Sequence, residues 1–415
     1  MAAHSAQNMI TSHNYRDDFP VLSSTMNDKP LVFLDTAASA QKPRAVIEAM
    51  DNVLNSGYSN IHRGLYRISQ GLTADFEAVR SKIAKFIGAN SEKEVVFTRN
   101  ATEGINLVAQ TWGRTHLKFG DEIILTEMEH HANIVPWQLL QKEIGFTIKV
   151  IPVLNNGSLD LEAFDDLLSE KTKLVACVQI SNAFGIINSV NKIIEMVRKV
   201  NQKTKVLVDG SQAIVHGPVD VSGMDADFYV FTGHKLYGPT GIGVLYGKHS
   251  LLIEMPPYQG GGDMIERVSF SGSTFKEPPY RFEAGTPPIV EVIGLGAAID
   301  YLENVGYDYI ASHESQLRDY GHEILSEIDG LRLYGLGNEK AAIFSFTIED
   351  THPSDIGMIL DQCGVAVRAG HHCCMPLMQR FGLDATVRAS VGLYSSRDDI
   401  NQFYEAVLKA KDMLK

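Results

Sequence analysis

Residues 205–235, KVLVDGSQAIVHGPVDVSGMDADFYVFTGHK, contain the features that decide the fold. The runs KVLVD (205–209) and DFYVFT (227–232) are short and largely apolar, which is typical of strands buried on both faces of a parallel sheet. Asp209 ends the first run, and Lys235 follows the second. Because ligands bind at the carboxyl ends of parallel strands, this stretch predicts both a parallel sheet and a binding edge.

The same pattern extends outward on both sides of this stretch. Further runs are rich in apolar and β-branched residues, and helical patterns such as NKIIEMVRKVNQKT lie between several of them. These runs are EVVFT (94–98), EIILT (122–126), TIKVIPV (147–153), KLVACVQI (173–180) and GVLYG (243–247). The alternation predicts an α/β fold with a mainly parallel sheet.

The segment 255–288 interrupts this alternation. Its PPY, QGGGD, SGS and GTPP strings are typical of turns, and we expect irregular surface structure that forms an inter-subunit or active-site flap. A helix near 291–304 follows it. Farther on, AAIFSFTI (341–348) predicts a strand, and SDIGMILDQC (354–363) predicts a helix of a second α/β region.

The chain is too long for one ordinary core, with 415 residues. We predict a large domain over residues 26–300 and a small domain over residues 301–415, to which residues 1–25 also belong. The polar residues from 1 to about 12 are expected to be frayed.

Composition narrows the function classes. The formal net charge of −13 disfavours partners such as nucleic acid or an anionic membrane surface. No stretch has the length of an apolar membrane span, and the N-terminal residues lack the apolar core of a signal peptide. Four cysteines are too few for a disulfide scaffold in a chain of this length. We therefore expect a cytoplasmic protein with reduced thiols.

Polar side chains follow five of the predicted strands. Asp209 could be a turn or capping residue, or it could keep a cofactor ring nitrogen protonated. Lys235 could be a surface lysine, or it could form an imine at the sheet edge. The segment NATEG, with Thr102, opens a helix whose free N–H groups either are simply capped or bind a phosphate. Each residue alone is compatible with both interpretations. Their predicted position at the same edge of the sheet favours a cofactor site.

Six histidines and cysteines raise the alternative of a zinc site. Their spacing matches no common zinc pattern, and adjacent HHCC residues cannot easily supply four ligands to one tetrahedron. We therefore predict no metal site, and an imidazole that stacks on a planar cofactor ring instead. The residues concerned are His130, His131, His371, His372, Cys373 and Cys374.

Several motifs together resemble the SufS-type cysteine desulfurases, fold-type I pyridoxal-phosphate (PLP) enzymes related to selenocysteine lyases. The resemblance covers nearly the whole chain in the expected order. The motifs are DFPVL, LDTAASAQKP, HRGLYRIS, TEGINL, MEHHANIVPW, VDGSQA, FTGHKLYGPTGIG, RFEAGTP and RAGHHC. The resemblance implies a large PLP-binding domain and a smaller α/β domain that carries the catalytic cysteine loop.

The resemblance also implies a role for each matching residue. Lys235 would form the Schiff base with PLP, Cys373 would be the nucleophile in a loop that begins at Arg368, and His130 would stack on the ring. Other residues would bind the cofactor: Asp209 at the pyridinium nitrogen, Gln212 at the phenolic oxygen, and Ala101, Thr102, Thr232, His234 and, from the other subunit, Thr286 at the phosphate. Asn182 and Arg388 would bind the substrate carboxylate.

The sequence departs from the usual family pattern at two positions. Cys374 stands where alanine commonly follows the nucleophile; it could form a disulfide or accept a persulfide sulfur, but we expect it to be inert. Ala101 replaces the first threonine of the phosphate-binding helix, which removes a hydroxyl but keeps the backbone N–H.

The implied reaction converts L-cysteine to L-alanine and leaves a persulfide on Cys373. A SufE-like or SufU-like acceptor protein would then take the sulfur for iron–sulfur cluster assembly, and the enzyme would be a homodimer. Two alternatives stay open. A selenocysteine lyase of the same fold needs no nucleophilic cysteine, and a non-catalytic scaffold would keep the fold without PLP chemistry.

Overall fold

A seven-stranded sheet lies at the centre of the protein, whose computed structural model describes residues 14–336 and 339–414. The expectation of a frayed start, residues 1 to about 12, lies outside these residues. Three short strands come first: β1 (Thr25–Met26), β2 (Lys29–Pro30) and β3 (Val32–Phe33). The strands of the central sheet are β4 (Val95–Thr98), β5 (Glu122–Thr126), β6 (Thr147–Ile151), β7 (Thr172–Val178), β8 (Lys205–Asp209), β9 (Phe228–Thr232) and β10 (Gly243–Gly247).

The central sheet has the order β4-β10-β9-β8-β7-β5-β6. Strands β5 to β9 are parallel to one another, and β10 is antiparallel to both of its neighbours. The register pairs Val178 with Asp209 and Asp209 with Val230, so neighbouring strands end at about the same level. The predicted mainly parallel sheet is confirmed, and its carboxyl ends form one edge.

Helices cover both faces of this sheet. As a result, β8 and β9 are buried along nearly their whole length. The helices are α1 (Arg44–Ser56), α2 (Arg67–Phe86), α3 (Ala101–Val108), α4 (Arg114–His116), α5 (Val135–Ile144), α6 (Leu161–Leu167), α7 (Val190–Val200), α8 (Ala213–His216), α9 (His249–Glu254), α10 (Ile289–Val305), α11 (Tyr307–Ser326), α12 (Pro353–Gln362), α13 (Met375–Arg380) and α14 (Arg397–Leu414). In α7 the buried positions Val190, Ile193, Ile194 and Val197 form one helical stripe against the sheet.

A smaller antiparallel sheet lies in the C-terminal part of the chain. The remaining strands are β11 (Ile265–Ser269), β12 (Gly272–Phe275), β13 (Leu331–Tyr334), β14 (Ile343–Ile348), β15 (Val365–Ala366), β16 (Arg368–Gly370) and β17 (Thr386–Ser390). The order of the small sheet is β13-β14-β17-β16, and α11 and α12 pack against it. β15 pairs in parallel with β3, so the N-terminal strands join this second region. The loop after β16 carries the two adjacent cysteines.

Two expectations about local structure need correction. The run 147–153 is a strand only as far as Ile151, because Pro152 has no N–H to continue the ladder. The segment 255–288 is not wholly irregular, since β11 and β12 form an antiparallel hairpin in it. The hairpin side chains are mostly exposed, so no burial pattern in the sequence indicated them. The helix predicted near 291–304 is α10, and it continues through the predicted domain boundary at residue 300.

Candidate active site

One cavity of about 260 Å³ opens at the carboxyl edge of the central sheet. Every site residue predicted from the sequence lines it, except Thr286. These residues are Ala101, Thr102, His130, Asn182, Asp209, Gln212, Thr232, His234, Lys235, Cys373 and Arg388. Thr286 lines a second cavity beside Arg99 and Tyr258. The structure therefore brings together groups from five strand ends and from the small sheet.

The start of α3 forms one end of the cavity. Asn100 caps this helix by accepting a hydrogen bond from the Glu103 N–H at 2.9 Å, and the N–H groups of the first turn lie beside the cavity. Gly243 allows this approach, because a Cβ there would lie 2.5 Å from Asn100 Cα. The Thr232 hydroxyl is buried without a hydrogen-bond partner among the described residues. Free donors at a helix N-terminus fit a phosphate group.

The ends of β8 and β9 bring Asp209 and Lys235 to the same cavity. Asp209 is buried, and it accepts one hydrogen bond from the Ser211 N–H at 2.9 Å. The Lys235 amine makes no hydrogen bond to the described residues. Its burial, and secondly the nearby Arg388 cation, lower the pKa of Lys235, although Asp209 opposes this shift. An amine with a lowered pKa is available as a nucleophile and as a base.

The loop after β5 places His130 in the cavity. His130 Nδ1 accepts a hydrogen bond from the Ala132 N–H at 3.1 Å, so the proton of the neutral ring is on Nε2. Burial, and then the charge of Lys235, lower the pKa of His130 to about 4. The loop is anchored by buried Glu129, which accepts hydrogen bonds from Thr126 and Asn133. His130 is thus a neutral ring of fixed tautomer at neutral pH.

The loop that follows β16 presents Cys373. His372 and Cys373 both have left-handed backbone angles, with φ of 52° and 57°, an uncommon conformation for residues with side chains. The Cys373 N–H donates to His371 Nδ1 at 3.0 Å, and the His131 N–H donates to the Cys373 carbonyl at 2.8 Å. Imidazole and backbone groups therefore hold the thiol at the cavity, where it is half-buried.

Arg388 and Asn182 form the other end of the cavity. Arg388 donates through Nη1 to the Asn182 carbonyl oxygen at 2.8 Å and through Nη2 to Asp35 at 3.2 Å. Its Nε is buried and has no partner among the described residues. Asp35 also pairs with Arg368 at 2.9 Å. A guanidinium with a free buried donor suits a carboxylate ligand.

Sequence reasoning missed three residues that hold this site together. Asp35 pairs with both arginines, although it ends an apolar run, LVFLD, in the same way as Asp209 ends its own. That shared pattern could have identified it. His131 and His371 hold the cysteine loop through ring nitrogens that accept backbone N–H groups. No spacing signal links two histidines so far apart in the chain.

His131, His371 and Cys373 also place potential metal-ligand atoms within 4.8 Å of one another. This combination differs from the adjacent HHCC residues considered from the sequence. His131 Nε2 accepts from the Met375 N–H at 3.1 Å, just as His371 Nδ1 accepts from the Cys373 N–H. A neutral imidazole has one lone pair, so in this arrangement both rings are engaged in holding the loop.

Comparison with known proteins shows the family. The model of the aminotransferase class-V family matches residues 32–403. The chain belongs to the aminotransferase class-V family. A cysteine desulfurase of Serratia proteamaculans is 46% identical over 400 residues, which are 96% of this chain and 98% of that protein.

Two solved structures share the whole fold. The cysteine desulfurase CsdA of Escherichia coli, in an S-sulfonic acid form, has a TM-score of 0.90 and 38% identity, covering 97% of this chain and 98% of its own. The apo cysteine desulfurase of Thermococcus onnurineus NA1 has a TM-score of 0.91 and 36% identity, covering 99% and 100%. The predicted α/β fold of a fold-type I PLP enzyme is confirmed. The narrower SufS-type assignment stays a prediction.

Within the described residues, no helix combines the length and apolar character that a membrane crossing requires.

Proposed function

We propose that this protein is a PLP-dependent cysteine desulfurase that converts L-cysteine to L-alanine and leaves a persulfide on Cys373. The observation that carries the proposal is that Lys235 and Cys373 line one cavity, although they belong to different sheet regions. The amine supports a PLP enzyme, and the thiol narrows the chemistry to sulfur removal. The similarity to cysteine desulfurases over nearly the whole chain supports the same assignment.

The cavity fits PLP at each of its ends. Lys235 would hold the cofactor covalently, Asp209 would face its ring nitrogen, and His130 would stack on the ring. Gln212 would contact the phenolic oxygen. The phosphate would lie at the α3 N-terminus, with the orphaned Thr232 hydroxyl as one donor; the other phosphate contacts would be Ala101 N–H, Thr102, His234 and, from a second subunit, Thr286. Bound PLP withdraws electrons from the substrate, which weakens the bonds at its α-carbon.

Arg388 and Asn182 would orient the substrate by its carboxylate. Arg388 already donates to Asn182, and its buried Nε is a further donor without a partner among the described residues. An arginine fork that binds a carboxylate fixes the direction of the substrate as well as its position. The substrate side chain would then be directed toward Cys373, which lines the same cavity.

Proton movements would be carried by Lys235 and His130. Released from the cofactor, the Lys235 amine can remove the proton from the α-carbon, because its pKa is lowered by burial. His130 lines the cavity and is neutral with its proton on Nε2, so it would supply a hydrogen-bond donor there.

Sulfur would be removed by the Cys373 thiolate, which attacks the substrate sulfur. The S–S bond forms while the Cβ–S bond breaks, and the electron pair of the broken bond stays on the carbon skeleton. Two protonations of that skeleton give alanine, and the sulfur remains on Cys373 as a persulfide. Only the thiolate is a competent nucleophile, so Cys373 must lose its proton first.

The finer assignments are part of the same proposal. We infer a SufS-type enzyme that works in the cytoplasm as a homodimer, with Thr286 reaching the cavity of the partner subunit. The sulfur acceptor would be a SufE-like or SufU-like protein that supplies iron–sulfur cluster assembly. The small domain would comprise residues 301–415 with 1–25, and the large domain would comprise residues 26–300.

Replacing the nucleophile tests the proposal. We expect Cys373→Ser to lower alanine formation from L-cysteine by about 10³-fold while PLP absorbance is retained. The matched control is Cys363→Ser, a half-buried cysteine directly after α12 and outside the cavity, which should keep full turnover. Normal alanine formation by Cys373→Ser would refute the assignment.

A further inference from the structure

Cys374 occupies a buried position directly behind the nucleophile. Its side chain is fully buried, and it lies at the start of α13. The Cys374 Sγ lies 3.1 Å from Asn182 Oδ1 and 3.9 Å from the Met128 carbonyl oxygen. A thiol has one proton to donate, so the nearer acceptor, the amide oxygen of Asn182, receives it.

A second contact fixes the same amide. Asn182 Nδ2 donates to the His372 carbonyl oxygen at 2.7 Å. If the amide were reversed, Oδ1 would face the His372 carbonyl oxygen, and both atoms are acceptors. The Cys374 thiol would then face an N–H donor instead of an acceptor. The two contacts therefore specify one orientation, in which one Nδ2 proton of cavity-lining Asn182 has no acceptor among the described residues.

We propose that Cys374 is a positioning residue that orients the Asn182 amide, so that the unused Nδ2 proton faces the carboxylate of the substrate. The inference rests on the proposed function, in which Asn182 and Arg388 bind that carboxylate. Arg388 donates to the backbone carbonyl of Asn182, so the two residues proposed to bind the carboxylate also contact each other. Cys374 thereby couples the nucleophile loop to substrate binding.

The environment of Cys374 argues against a second sulfur carrier. Burial raises the pKa of its thiol to about 12, and Glu129 adds to this shift. The group therefore keeps its proton, which is what a donor needs and what a nucleophile must lose. Without the Cys374 thiol, the Asn182 side chain would keep only the His372 contact. Cys374 adds a second restraint in this chain.

Two substitutions test the role in the holoenzyme, with dithiothreitol present to remove the persulfide. We expect Cys374→Ala to raise the KM for L-cysteine about 5-fold, the size of one hydrogen bond, with kcat and PLP absorbance nearly unchanged. Cys374→Ser should restore the KM, because its hydroxyl can donate to Asn182. The matched control is Cys177→Ala, another fully buried thiol, which should leave the KM unchanged.

A double substitution separates orientation from packing. In an Asn182→Ala background, adding Cys374→Ala should change the KM no further, since no amide remains to be oriented. Two results would overturn the role of Cys374 but leave the carboxylate site standing. One is that the two substitutions raise the KM additively; the other is that Asn182→Ala raises the KM while Cys374→Ala does not. An unchanged KM in Asn182→Ala would instead refute the proposed carboxylate site, and the inference with it.

Discussion

The two sides of the cavity are built in different ways. Asp209 ends β8 and Lys235 follows β9, and both strands are buried and hydrogen-bonded on both edges. Cys373 belongs to a loop with left-handed backbone angles, in which imidazole nitrogens accept backbone N–H groups and the Asn182 amide donates to a backbone carbonyl. The sheet therefore fixes the cofactor side, whereas separable contacts fix the nucleophile side. Substitutions on the two sides should have separable effects.

The largest effect is expected on the strand side. Lys235→Ala should lower alanine formation by about 10³-fold or more, because the cofactor loses its covalent anchor and the reaction loses its base. The visible absorbance of the lysine-bound cofactor should disappear, whereas Cys373→Ser should keep it. An unchanged absorbance spectrum in Lys235→Ala would contradict the assignment of the anchor.

A smaller effect, on the pH dependence of stability, is expected from His372, which is neutral in the cysteine loop. Burial, and then Arg388, lower the pKa of His372 to about 3, against about 6.5 in an unfolded chain. As the pH falls, His372 takes up a proton in the unfolded chain before it does so in the folded protein, so it reduces stability between about pH 6 and pH 4. In that range His372 lowers the free energy of unfolding by about 1.4 kcal/mol per pH unit. Urea unfolding of His372→Gln should show a pH slope that is shallower by this amount, and identical slopes would contradict the account.

The smallest effect is expected from the loop contacts themselves. His371→Ala removes the acceptor for the Cys373 N–H and should lower kcat about 5-fold without changing PLP absorbance. His352→Ala is the matched control, because its Nδ1 accepts the Ser354 N–H at 3.2 Å in the same way, but at the start of α12. If both variants lose turnover equally, the loop contact has no special role.

Much of the strand side could be predicted from sequence. Buried parallel strands leave apolar runs followed by polar residues, so the placement of Asp209 and Lys235 at one edge of the sheet was predictable, whereas their roles came from the family resemblance. The β11–β12 hairpin was missed, because exposed strands lack that pattern. The role of Asp35 was also missed, although its run ends in the same way.

The loop side was less predictable, because its contacts join residues far apart in the chain. His131 contacts Cys373 and Met375 where the loop after β5 meets the loop after β16. Cys374 was expected to be an inert thiol, with a disulfide or a sulfur carrier as the alternatives. Its full burial and its distance to Asn182, which no local sequence pattern encodes, favour a role as a hydrogen-bond donor.

The central claim is that sulfur from the substrate passes to Cys373. The most direct measurement is peptide mass spectrometry of the enzyme after a single turnover with L-cysteine and without reductant, together with the amount of alanine formed. We predict the added mass of one sulfur atom on Cys373, in proportion to alanine, with Cys374 unmodified. Alanine formed without any sulfur on Cys373, or sulfur found on Cys374 instead, would contradict the account.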